Sequence, residues 1–101
     1  MTTTPEWRTS DTSALLTAVL ALQSEDEAAA FFRDLCTLGE LNDLSQRWAV
    51  ARLLAGGMPY RQIAEETGAS TATITRINQW LQHGAGGYRL VLDRLSGEGA
   101  A

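Results

Sequence analysis

YRQIAEETGASTATITRINQ, residues Tyr60–Gln79, reads as two short helices joined by a tight turn at Gly68. Two helices that cross closely need a small side chain near the crossing, and Ala64 follows Ile63 there. Four residues on, the turn needs a positive backbone angle, which glycine takes without a steric cost. Ile74 and Ile77, three apart, anchor the second helix on a core. Its N-terminal turn, Ser70, Thr71, Ala72, Thr73 and Thr75, is small and polar. A surface of that kind fits into a major groove, with Arg61 and Arg76 near enough to reach phosphate or guanine. A plain helical hairpin would not need small residues at both the crossing and the exposed turn. It would rarely choose a Ser/Thr-rich run, because these are middling helix formers. The stretch therefore reads as a helix-turn-helix over 60–79.

Working outward, Pro59 stands ahead of the first of these helices, expected at Tyr60–Thr67, and Ser70 caps the second, expected at Thr71–Gln82. Upstream, Thr37 and Glu40 have capping-box spacing and open a longer helix to about Ala55, where Gly56-Gly57 stops it. Leu41, Leu44, Trp48 and Ala51 form its apolar stripe, with Val50 and Leu54 beside it. Ser24 and Glu27 repeat the box ahead of a helix over about Glu25–Cys36, in which Phe31 and Phe32 read as core. Asp11 or Ser13 would cap a first helix at about Thr12–Leu22. Leu15, Leu16, Val19, Leu20 and Leu22 cover a wide arc of it, which suggests contacts on more than one side and hence a dimer. Downstream, HGAGG at 83–87 is a break before a last helix at about Tyr88–Ser96.

No segment alternates at period two, so the expected fold is all-α with six helices. The expected organisation is a polar arm over 1–10, a helical domain over 11–96 and a flexible tail over 97–101. Trp7 is the exception in the arm, and a docked position in a partner groove or in the chain's own core is expected for it.

With 101 residues the chain makes one small domain, of a size that often gains stability by self-association. Its net charge of −4 argues against a nucleic-acid partner until it is divided. Residues 47–95 carry Arg47, Arg52, Arg61, Arg76, Arg89 and Arg94 against Glu65, Glu66 and Asp93, so positive charge gathers in the half that holds the motif. DNA affinity follows the local field rather than the total.

No apolar run approaches the ~20 residues that cross a bilayer. The opening MTTTPEWRTSDTS lacks the basic flank and apolar core of a signal peptide. The single cysteine, Cys36, rules out an intramolecular disulfide and is expected to be a small buried residue, so the expected location is the cytoplasm. His83, the only histidine, reads as an exposed helix-end residue, and with one Cys and one His no zinc site can be built. Glu65-Glu66 read as a solvated face. No constellation points to an enzyme, a metal or a cofactor.

LCTLGELNDL at 35–44 followed by LLAGGMPYRQIAEETGASTATITR at 53–76 resembles the tryptophan repressor family, most specifically in TGASTATITR, Thr67–Arg76. The similarity runs from about Leu15 to Leu95. The segment FFRDLCTLGELNDLSQRW at 31–48 is closer to the Trp-repressor-like branch. The resemblance implies an intertwined homodimer of six helices per chain on a near-palindromic double-stranded operator. It implies that Arg61 reaches a guanine, that Thr71, Ala72 and Thr73 face the bases, and that Thr75 contacts phosphate. It also implies a ligand site in which an indole lies between two arginines. Arg76 matches one; the other falls near Arg47, or at Gln46 when counted back from Leu53-Leu54. The family's glycine after the second arginine is Ile77 here, and a family serine three residues beyond is Trp80. These large side chains are expected to occupy the space a tryptophan needs, so a reduced or absent tryptophan response is expected. A helical dimer that keeps the scaffold as a protein-interaction module is the alternative.

Overall fold

Six helices follow one another in the computed structural model, which describes residues 5–97: α1 Ser10–Ala21, α2 Glu25–Leu35, α3 Leu38–Ala55, α4 Tyr60–Thr67, α5 Thr71–His83 and α6 Gly87–Leu95. There is no strand among the described residues. The chain divides into two compact units at Leu41/Asn42, inside the first turn of α3.

Local capping chemistry sets most of these boundaries. At α3 the box is reciprocal: the Thr37 N–H donates to Glu40 Oε1 at 2.8 Å and the Glu40 N–H to Thr37 Oγ1 at 3.1 Å. At α2, Ser24 Oγ accepts from the Glu27 N–H at 3.1 Å, while the Glu27 carboxylate reaches one residue further back, to the Gln23 N–H at 2.9 Å. α1 departs from expectation. Its cap is Thr9, whose hydroxyl oxygen accepts from the Thr12 N–H, rather than Asp11 or Ser13. The Thr12 hydroxyl in turn donates to the Trp7 carbonyl at 3.0 Å, and this second bond favours the earlier start. Ser10, placed in the arm by sequence, is thus helical. The glycine-rich break is also shorter than expected, because His83 ends α5 and Gly87 begins α6. His83 is exposed. The expected tail lies outside the described residues from position 98 on.

In the first unit, α1 and α2 bury no residue fully. Leu15, Leu16 and Leu35 are exposed, and Leu20 is 85% exposed. Phe31 and Phe32 meet edge to face, with ring centroids 5.4 Å apart, and both are half-buried. Cys36 is half-buried rather than buried. Trp7 is 62% exposed within the protomer, so it does not reach the chain's own core.

The second unit contains the core. Val50 and Ala51 of α3, Ile63 of α4, Ala69 of the turn, and Ile74 and Ile77 of α5 form one buried cluster. Trp48, Leu53, Leu54, Met58, Ala64 and Tyr88 pack around it. Trp48 and Tyr88 stack, with ring centroids 6.1 Å apart and planes 22° from parallel, which ties the start of α6 to α3. α3 ends in a pair of reverse bonds, Gly57 N–H to Leu54 O and Met58 N–H to Leu53 O, which satisfy carbonyls that a helix end would leave open.

Candidate nucleic-acid interface

The turn between α4 and α5 is built from its last helical residue outward. The Thr67 hydroxyl donates to the Ile63 carbonyl at 2.7 Å and accepts from the Ala69 N–H at 3.1 Å. Gly68 takes φ 75°, and its N–H closes on the Ala64 carbonyl at 2.9 Å. A β-carbon would be strained at that angle. Ala69 then tucks into the core at 5% exposure, and Ser70 starts α5. With Ala69 buried on one side of the turn and Ile63 on the other, the geometry between the two helices has little slack.

Along α5, Ile74, Ile77 and Leu81 form the buried stripe. The opposite face exposes Thr71, Ala72, Thr75 and Arg76. Ser70 Oγ accepts from the Thr73 N–H at 3.1 Å and lies 3.0 Å from Thr73 Oγ1. Arg76 Nη2 donates to the same Thr73 oxygen at 3.4 Å. Ser70 therefore caps the helix, and half-buried Thr73 sits at the centre of a small polar network. In the first turns of α5, Thr71, Ala72 and Thr75 are left both exposed and free of such bonds.

Arg61 lies in the first turn of α4, exposed, with no hydrogen bond or ion pair among the described residues. Neither α4 nor α5 has an acidic residue in its first turn. The partial positive charge of each helix start is thus uncancelled on the side where an anionic backbone would lie. Glu65 and Glu66 fall in the second half of α4, and Glu66 accepts from Gln62 Nε2 at 3.1 Å.

The four residues associated with an effector are not gathered in one place. Arg47 and Trp80 line an open cleft of about 690 Å³ together with Trp48, Tyr88, Val91 and the 84–87 segment. Gly84 is there because a β-carbon would run into the Trp80 carbonyl. Trp80 is a wall of this cleft, 48% exposed, rather than a plug in it. Ile77 lies in the core at zero exposure, and Arg76 turns to Thr73 on the outer face. Gln46 does not face the cleft; its Nε2 donates to the Thr67 carbonyl at 3.0 Å. Sequence reading missed this bond and the Trp48–Tyr88 stack. A polar side chain two residues ahead of a core tryptophan, and a tyrosine directly after a glycine run, were the available signals.

Comparison with known proteins follows the same lines. The profile of the Trp repressor protein family matches residues 10–96. YerC of Bacillus subtilis (strain 168), itself uncharacterized, is 46% identical over 81 residues, spanning 80% of this chain and 78% of that protein. The crystal structure of a TrpR-like protein from Eubacterium eligens superposes with a TM-score of 0.86 at 46% identity, covering 90% of this chain and 94% of that one. A structure from Staphylococcus aureus, described as a candidate Trp repressor, gives a TM-score of 0.85 at 42% identity, covering 90% and 91%.

Proposed function

The chain belongs to the Trp repressor family, a class of DNA-binding regulators rather than enzymes, and we propose that it is a homodimeric, sequence-specific transcriptional regulator. Two reading heads would enter successive major grooves about one helical turn apart on a near-palindromic site. Arg61 and the Thr71–Thr73 turn read base edges, and Thr75 anchors a phosphate. Ser70 contributes by setting the start of α5. The observation that carries the reading is the pairing of an exposed, small N-terminal turn on a core-anchored α5 with the unpaired Arg61 guanidinium.

The regulator acts as a repressor in the cytoplasm, with reduced or no response to tryptophan. The insertion of Ile77 into the core and the separation of Arg47 from Arg76 support that part of the reading. Titration calorimetry should detect no L-tryptophan binding at micromolar concentration, and such binding would overturn it.

Selection of bound sites from random duplex DNA tests the whole. A palindromic consensus is expected. No enrichment, even at low salt where phosphate contacts are strongest, would instead favour a protein-interaction role for the scaffold.

A further inference from the structure

α4 and α5 are joined to α3 through the short Gly56–Pro59 connection and through apolar packing. Apolar contacts hold two elements together but resist small rotations weakly, because they are non-directional. A hydrogen bond is directional, and one crosses this junction. Gln46, half-buried on α3, donates from Nε2 to the carbonyl of Thr67, the last residue of α4. The acceptor is one of the carbonyls that a helix end leaves without a partner in its own helix. The same residue also organises the turn through its hydroxyl. Gln46 therefore grips the one residue from which both the end of α4 and the path into α5 are set.

Building on the DNA-reading role, we propose that Gln46 is a positioning residue. Its bond to Thr67 fixes the orientation of the α4–α5 pair on α3 in the DNA-ready state, with no small molecule needed. The local bonds of the turn are already complete without it: Gly68 closes on Ala64, and Ala69 on Thr67. Losing the Gln46 bond should leave α4, the turn and α5 formed, and should loosen only their angle to α3. Base contacts depend steeply on that angle, whereas phosphate attraction does not. The expected signature is a loss of specificity at nearly unchanged non-specific affinity.

The test is Gln46→Met, which has similar length, no charge and no donor. Binding to the selected site and to a scrambled duplex is measured by fluorescence anisotropy, without any added effector. The expected result is a specific affinity lower by roughly threefold to tenfold, the range for one net hydrogen bond, with scrambled-site affinity unchanged. Gln46→Glu, of the same shape but without the donor, should lose the same ratio of specific to scrambled binding, even though its charge weakens both. If Gln46→Met folds poorly, that ratio in Gln46→Glu decides. A folded variant with the wild-type ratio overturns the inference while leaving the DNA-reading role intact. A wild-type chain that selects no site sinks both.

Discussion

The α1–α2 segment and the α4–α5 pair are both helical and both rich in apolar residues, yet they use them in opposite ways. α4 and α5 place Ile63, Ile74 and Ile77 at zero exposure. α1 and α2 place no residue there; Leu20 is 85% exposed, Leu35 about half, and Leu15 and Leu16 about two-fifths. The difference lies in patterning rather than hydrophobicity. In α5 the buried apolar side chains fall at 74, 77 and 81 on one narrow stripe, with 74 and 77 packed against α3 and α4, and Trp80 beside it stays half open. In α1 they spread over a wide arc that one chain does not cover. One region has a closed core within the protomer. The other has the composition of half an interface, which is what the proposed homodimer requires.

The strongest way to break this contrast is to attack the region with the closed core. Ile74→Ala removes a fully buried side chain from the centre of the core. It should cost about 2–5 kcal/mol of stability, read as a drop in the denaturant midpoint. A cost below ~1 kcal/mol, typical of a surface site, would mean that the second unit is not the self-sufficient core described.

Leu20→Ala attacks the other side. At 85% exposure, the substitution would be nearly neutral in an isolated protomer. If α1 forms the dimer surface, it should weaken association by about 1.5–3 kcal/mol per protomer, the worth of burying one leucine. Sedimentation velocity over a concentration series should show the dimer dissociating at higher concentration than wild type. An unchanged series would remove Leu20 from any interface.

The same contrast explains what could be read from the sequence. The bounds of α3 and α4, and the starts of α2 and α5, are legible because caps are local: Thr37 with Glu40, Ser24 with Glu27, Ser70, and Gly68. The start of α1 is less so, because Thr9, Asp11 and Ser13 are all competent caps. The choice is made by a bond from Thr12 back to the Trp7 carbonyl. The helix-turn-helix is legible because its rules bear on neighbouring positions. The double duty of Ser70 and the occupied Thr73 hydroxyl depend on side-chain geometry, which spacing does not encode. The Gln46–Thr67 bond and the Trp48–Tyr88 stack join residues distant in sequence, and nothing in either local stretch announces the other.

Arg61→Ala separates reading from folding within the region that has the closed core. The side chain is exposed and unpaired among the described residues, so melting temperature should hardly move. Affinity for the selected site should fall by about 1–3 kcal/mol, with relaxed preference at one guanine position. A uniform loss across all sequences would make Arg61 a phosphate contact instead.

The smallest expected effect falls in the open region and concerns acid. The Thr37 backbone N–H, and after it the Thr37 hydroxyl, hold the Glu40 carboxyl below the usual carboxylate range. A carboxylate bound more tightly to protons when unfolded than when folded stabilises the folded state above its unfolded pKa, near ~4.3 for glutamate. That contribution is lost as pH falls through the lower, folded value. The first turn of α3 should therefore fray only in acid, below about pH 4.3, with no change at neutral pH. Because Glu40 is fully exposed to solvent, the effect should be confined to that turn. Carbon-detected titration should place the Glu40 midpoint below the ordinary glutamate value of about 4.3. In Glu40→Gln the amide protection of the turn should become independent of pH across this window. A Glu40 midpoint at or above that ordinary value would mean that the Thr37 bond does not persist in solution. The α3 start would then need another source of order, and an interface formed by the open region is the one that this contrast supplies.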